Sequence, residues 1–394
     1  MTVANENLSQ AKRAKNDEFY TQYPDIEKEM NAYLDFNADV FRGKTILLPC
    51  DDPEWSNFTK YFVLNFERVG LKKLISTSYA FDSRAINMLS GPTEFESRSP
   101  KFDPSKTRSR GKIFTLTGDQ TRDGRVDFDD IEWEYLDGDG DFRSDEVKRL
   151  RDEADVIITN PPFSLFREFL AWIVEAEKQF VILGNMNAIT YKEVFPLIKD
   201  NRLWLGGTGG GSMWFRVASG VPRKDDQRIE GEKRYQSFRN INWFTNLDHG
   251  RRHEPLALMT TANNIKFSKH KEVRGVGYQT YDNFDAIEVS HADAIPSDHE
   301  GVMGVPISWL DKYNPEQFEI LGSEKDWEAG KIKIYPKQVQ VTAAGKRSNV
   351  TKLNDGATLK LPARPKGETY YEVNGKVYTQ VYKRIFIQHR SPTT

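Results

Sequence analysis

The stretch Asp155-Val156-Ile157-Ile158-Thr159-Asn160-Pro161-Pro162-Phe163-Ser164-Leu165-Phe166 concentrates residue types that could do chemistry. Neither proline has an N–H to donate, so the pair fixes φ and leaves carbonyls as acceptors. Asn160 adds a side-chain acceptor and Phe163 a flat apolar face. Two acceptors beside an aromatic plate suit a planar exocyclic amine, gripped through both hydrogens while its ring lies against Phe163. A stiff loop with one buried ring is the alternative that the same four residues allow.

The flanking residues predict the elements that position this group. Val156-Ile157-Ile158 is a β-branched run expected as a buried strand that stops at Asn160, because the prolines cannot continue a ladder. Leu165, Phe166, Phe169, Leu170 and Ile173 recur at helical spacing, with Ser164 as the cap. In an open α/β sheet, ligands bind beyond the carboxyl ends of strands, which is where residues 160 to 163 would lie. Residues 45 to 48 predict another buried strand, then the turn Pro49-Cys50-Asp51-Asp52-Pro53, then a helix from Trp55 through Phe66 to a stop at Gly70. Residues 71 to 79 predict the next strand, with Asp82 just beyond it.

Asn160-Pro161-Pro162-Phe163 resembles the catalytic motif of amino-methyltransferases that use S-adenosylmethionine. Three longer phrases resemble the EcoRI-type adenine-specific DNA methyltransferase family: Asp17-Glu18-Phe19-Tyr20-Thr21-Gln22-Tyr23; Cys50-Asp51-Asp52-Pro53 with Ser56-Asn57-Phe58; and Trp309-Leu310-Asp311-Lys312-Tyr313-Asn314-Pro315-Glu316-Gln317-Phe318. The resemblance implies an α/β fold with a class I Rossmann-like methyltransferase domain over residues 16 to 265. A disordered basic N-terminus (1 to 15) precedes it and a β-rich DNA-recognition region (266 to 394) follows. It implies S-adenosylmethionine as cofactor, no metal, and N6 methylation of a flipped adenine in a specific double-stranded DNA sequence. The Asn160 side-chain oxygen and the Pro161 carbonyl would accept the N6 hydrogens, Pro162 would stiffen the turn, and Phe163 would stack on the base. Tyr20 and Thr21 would lie at the methionine end of the cofactor, Asp51 at its ammonium group, Asp82 at its ribose, and Asp141 with Phe142 at its adenine. The glycine-rich turn usual after the first strand of such enzymes is missing here. That departure leaves a catalytically silent DNA-binding regulator open, and the motif itself fits other planar amines, an RNA adenine or cytosine N4. For Asp51, Asp82 and Asp141 an ordinary turn or cap is the plain alternative.

Composition limits the partners. With 38% hydrophobic and 29% charged residues the chain reads as globular, and no run reaches the length of a membrane span. One cysteine, Cys50, excludes an internal disulfide and a cysteine-rich zinc site; a cytoplasmic protein is expected. Pro49-Cys50 also suits a cytosine-C5 thiolate, but no other phrase of such enzymes accompanies it. Residues 331 to 394 hold thirteen Lys and Arg against three acids (Asp355, Glu368, Glu372), net +10, while residues 1 to 330 carry 43 against 55, net −12. A basic tail facing an acidic body suits a phosphate backbone, with Lys346 and Arg347 as candidate contacts; a solvated basic face is the alternative. The basic segment 90 to 112 reads as a flexible loop that brings Arg108 and Arg110 to DNA, or as a mere surface excursion. The expected partners are double-stranded DNA and, beside a monomeric enzyme, a separate endonuclease cutting the same site.

Three further expectations are open to inspection. Residues 206 to 212 read as a flexible glycine loop that moves as the base enters. Trp243 or Phe244 is placed beside the target base, and His249 and His253 at the surface.

Overall fold

Strands buried at every position show no face to water, so they run between two layers. That applies to β2 (Thr45–Leu48) and β6 (Val156–Thr159), all of whose residues are buried. The computed structural model describes residues 20–49, 51–53, 56–80, 94–209, 213–217, 227–231, 233–238 and 240–390. The readings made of the N-terminal 15 residues, Cys50, Trp55, Asp82 and residues 210 to 212 lie outside these. The chain forms two units, residues 1–194 with 203–250 and residues 195–202 with 251–394.

In the first unit, β1 (Tyr20–Thr21) and helix α1 (Tyr23–Phe36) precede β2. Helix α2 (Asn57–Leu64), β3 (Lys73–Ser78), β4 (Lys112–Leu116), β5 (Glu132–Tyr135) and helix α3 (Asp145–Glu153) follow it. After β6 come helix α4 (Phe166–Glu175), β7 (Gln179–Asn185), β8 (Trp204–Leu205), β9 (Met213–Val217), β10 (Gln227–Glu230), β11 (Lys233–Phe238) and β12 (Ile241–Thr245). Eight strands form one sheet in the order β5-β4-β3-β2-β6-β7-β12-β8. The centre, β3-β2-β6-β7, is parallel, and antiparallel strands complete both sides. Sequence order therefore reverses between β2 and β6, whose carboxyl ends open on one crevice. A second sheet, antiparallel, has the order β1-β9-β11-β10.

The local differences from expectation have physical causes. The helix read from residue 55 to 70 is two pieces, because the Asn65 amide donates to the Tyr61 carbonyl (2.8 Å) and ends α2. A short turn, Phe66–Val69, then stops at Gly70 in the left-handed region (φ 67°). Ser164 does not cap α4. It lies inside a 3-10 turn, Phe163–Leu165, closed by the Leu165 N–H on the Pro162 carbonyl (2.9 Å). Gly184 of β7 must be glycine, since a Cβ there would lie 2.4 Å from the Phe166 ring.

The described part of the basic segment, from residue 94, packs on the β4–β5 hairpin rather than forming a free loop: Lys101 donates to the Trp133 carbonyl (3.1 Å) and the Asp103 N–H to Tyr135 Oη (3.1 Å). Lys112 is buried and donates to buried Glu96 (2.6 Å), which also receives the hydroxyls of Thr107 and Tyr135. Arg110 pairs with Asp137 (3.5 Å), and Arg108 is exposed.

In the second unit, β13 (Ile287–Glu288), β14 (Met303–Pro306), β15 (Phe318–Ser323) and β21 (Arg384–His389) form one sheet. The other contains β16 (Gln338–Val341), β17 (Arg347–Val350), β18 (Thr358–Leu361), β19 (Tyr370–Val373) and β20 (Lys376–Gln380). The phrase from Trp309 to Phe318 is a 3-10 turn, Ile307–Lys312, leading to β15, with Trp309 fully buried. A fork of charge-assisted bonds ties this unit: Arg384 donates from Nε (2.9 Å) and Nη2 (2.6 Å) to the two oxygens of Glu288. Both side chains are only 10% exposed. Removing one partner of such a pair strands a buried charge. Glu288→Ala should therefore lower stability by about 3–5 kcal/mol in a denaturant titration.

Candidate active site

Three segments meet at the carboxyl ends of β2 and β6. Thr159, the last residue of β6, donates its hydroxyl hydrogen to the crossing turn: Oγ1 lies 2.6 Å from Asp51 Oδ2 and 3.0 Å from the Pro49 carbonyl. Ser56 donates to Asp51 Oδ1 (2.6 Å) while accepting from the N–H groups of Phe58 (3.1 Å) and Thr59 (3.4 Å), so one hydroxyl both caps α2 and orients the carboxylate. The Asp51 backbone carbonyl accepts from Thr59 Oγ1 (2.8 Å) and from Ser76 of β3.

The third segment is β1. Asn57 Nδ2 donates to the Thr21 carbonyl (2.7 Å), and Asn160 Nδ2 donates to Thr21 Oγ1 (3.3 Å). The second bond orients the Asn160 amide so that its oxygen is the end directed away from Thr21. Phe163 is half-buried against the main core, and Pro161 is buried. The structure thus brings Thr21, Asp51 and Asn160 together. Of Tyr20 only the backbone is described, paired with Arg216.

Electrostatically, Asp51 is the outlier. Burial pushes its carboxyl up to about 7, although the bonds from Ser56 and Thr159 favour the charged form. Asp141 behaves in the opposite way. Burial raises its carboxyl, but Arg143 more than offsets this through Nε (2.8 Å), Nη2 and its backbone N–H, and holds it below the usual carboxylate range. Phe142 is 1% exposed, packed against Phe169 (5.1 Å) and Trp172 (5.6 Å). The loop bearing both residues packs on the end of β3, where the Ala80 N–H donates to the Asp139 carbonyl (2.7 Å).

The glycine turn after β8 is held at its start. Glu29 of α1 is fully buried and accepts from Tyr33 Oη (2.6 Å), the N–H groups of Gly207 (2.9 Å) and Thr208 (3.0 Å), and Thr208 Oγ1 (2.5 Å). A Cβ on Gly206 would lie 2.1 Å from Glu29 Oε1 and 2.5 Å from Trp243 Cβ, so these glycines serve close approach rather than motion. Trp243 and Phe244 are core residues, 2% and 0% exposed, packed on Phe58 and Phe166, and neither offers a face to a base. His249 is buried, not at the surface, with Nε2 2.9 Å from the Leu205 carbonyl; His253 pairs with Glu316 (2.7 Å). Arg347 is exposed and paired with Glu372, and Lys346 is exposed in the turn between β16 and β17. Among the described residues, one group has metal-ligating spacing: His270, Glu272 and His291 in the second unit.

Residues 7–390 match the family model described as adenine-specific methyltransferase EcoRI. The chain belongs to that family. It is 40% identical over 326 residues to the Type II methyltransferase M.EcoRI of Escherichia coli, covering 82% of this chain and 90% of that protein. It is 35% identical to the Type II methyltransferase M.MgeORF184P of Mycoplasma genitalium (80% of this chain, 85% of that one). To M.MpnI of Mycoplasma pneumoniae it is 33% identical (80% and 84%). No solved structure matches the chain. As a member of this family the protein is an adenine-specific methyltransferase.

Family membership leaves the support of the site to be read from the structure. Ser56, Asn57, Thr159 and Glu29 are the residues that sequence reasoning assigned no role; the cap position before α2 was the one available signal, for Ser56. Gly206→Ala should cost about 1–3 kcal/mol in thermal or denaturant unfolding, because Trp243 Cβ cannot give way as a side-chain tip could. The raised Asp51 carboxyl makes a second expectation. The folded state holds that proton more tightly than the unfolded chain, so its ionisation works against folding increasingly from the usual carboxylate range up to about 7, and fully above. Asp51→Asn should therefore raise the thermal midpoint more at pH 8 than at pH 5.

Proposed function

We propose that this chain transfers the methyl group of S-adenosylmethionine to the N6 amine of an adenine swung out of a specific double-stranded DNA sequence, within a class I Rossmann-like domain. The observation that carries the reading is the Asn160 amide, oriented by Thr21 at the carboxyl end of β6, beside a buried Asp51 at the point where strand order reverses. The parallel centre with an antiparallel strand beyond β7 supports the domain assignment.

The residues at the site fit the cofactor. Burial pushes the Asp51 carboxyl up to about 7, it has no ion pair among the described residues, and an ammonium group would supply the missing cation. Bound there, S-adenosylmethionine supplies an electrophilic methyl group on a sulfonium. Asp51 would hold the ammonium group, with Thr21 lining the methionine end. Asp141, held by Arg143, would accept from the cofactor's adenine amine, and Phe142 would support that loop from inside the core.

Adenine in a duplex is out of reach, so the base must leave the stack. Asn160 Oδ1 and the Pro161 carbonyl would accept the two N6 hydrogens, drawing the nitrogen lone pair out of the ring and towards the methyl group. Phe163 would stack on the base, and Pro162 would keep the turn from collapsing. The contribution is positioning and fixed dipoles, with no covalent enzyme intermediate. The basic second unit, with Lys346 and Arg347, and Arg108 and Arg110 of the first, would meet the phosphate backbone.

Base-resolved sequencing of modified adenines in DNA from cells making the wild type or Asn160→Ala tests the reading. The expected result is methylated adenine in one short sequence context, lost in the variant, with turnover lower by about 10²-fold or more in vitro. Unmodified DNA from both cultures would overturn the DNA-adenine reading. Cofactor affinity should fall about tenfold per pH unit below about 7, because Asp51 must lose its proton to face an ammonium group. Calorimetry in buffers of different ionisation enthalpy should register that proton's release at pH 6.

A further inference from the structure

The second sheet of the first unit carries a cationic face that the reaction chemistry does not use. Its strands place side chains alternately on two sides. Met213, Phe215 and Phe238 lie on the inner side, with Phe215 buried in the core and in ring contact with Phe238. Trp214, Arg216, Lys233 and Tyr235 must then share the outer side, and the register agrees: Arg216 pairs with Tyr235, and Tyr235 with Arg228 of β10. Arg228 lies over the rings of both Trp214 (5.1 Å) and Tyr235 (5.4 Å) and pairs with Glu230 (3.0 Å).

Arg216 and Lys233 have no acidic partner among the described residues, nor does Lys60 of α2. The three are close enough that Lys233 and Arg216 add to burial in lowering the Lys60 ammonium below its usual range. Glu230 stands opposite Lys233 in the β10–β11 register, but it is paired with Arg228, so the cations of this face outnumber it and an anion would relieve their repulsion. Arg216 also stands opposite Tyr20 in the β1–β9 pair, next to the Thr21 that orients Asn160. Thr21 stands opposite Phe215 and so faces the inner side, which puts the cationic face across the same edge strand from the site; aromatic rings interleaved with cations suit a nucleic-acid backbone there.

We propose that Lys60, Arg216 and Lys233 form a phosphate-binding clamp that grips the DNA backbone next to the nucleotide being methylated. This rests on the DNA reading above. The guanidinium of Arg216 would take a phosphate in its fork, and the two ammonium groups would neutralise the same or the adjoining phosphate.

The test compares wild type with Lys60→Gln, Arg216→Gln and Lys233→Gln, and with Lys72→Gln as an exposed cation outside the face. A fluorescein-labelled duplex is titrated by anisotropy over a series of salt concentrations, and S-adenosylmethionine binding is measured in parallel. Expected are weaker duplex binding, a log K against log salt slope smaller by about 1 per variant, and unchanged cofactor affinity. In methylation assays KM for DNA should rise while kcat is retained. Lys233, exposed at a strand end, keeps the test valid should Arg216→Gln disturb the sheet. Duplex affinities and slopes equal to wild type, or losses matched by Lys72→Gln, would overturn the clamp. Failure of the DNA reading shows differently: the wild type itself then gives no saturable, salt-dependent binding of the duplex and leaves its adenines unmodified.

Discussion

The contact on which the first unit depends is the hydroxyl of Thr159, which reaches from the end of β6 to Asp51 and Pro49 at the end of β2. It ties the two strands at the point where an open α/β sheet exposes its crevice. Everything else at the site is arranged around that tie. Ser56 holds the other carboxylate oxygen, Ser76 and Thr59 hold the backbone carbonyl, and Asn160 follows Thr159 directly in the chain. Two hydroxyls donate to that carboxyl, and burial still pushes it up to about 7.

The parts legible in the sequence were those written in short range. The apolar runs at residues 46–48 and 156–158, and the proline pair after the second, specify strand and stop within a few residues. The support of the site was not legible, because hydroxyls and short polar side chains look alike whether they face solvent or a buried carboxylate. Thr159 reads as an ordinary strand former. Lys112 sits in a run of cations and looks solvated; only the fold shows Glu96 buried opposite it. The phrase from Trp309 to Phe318 has aromatic spacing that suits a helix, and tertiary packing made it a turn and a strand instead.

Glycine was the other misleading signal. Gly206 and Gly207 suggest mobility in a sequence, yet the helix carrying Glu29 lies so near that a methyl group has no room. The same buried Glu29 is fully engaged by Tyr33 and by the turn, so the start of the loop is as fixed as the strands it joins. The second unit relies on comparable buried pairing, Arg384 with Glu288.

The pairing of β1 with β9 joins residues separated by about 195 positions. On a ribosome, Thr21 emerges long before the strand that will hold it, and Asn160 also appears first. The crevice between β2 and β6 can assemble while β1 still has no neighbour. The site therefore acquires its last wall late in synthesis, and a nascent chain stopped before residue 213 would hold the acidic turn, the proline pair and Thr21 without the strand that pairs with Thr21.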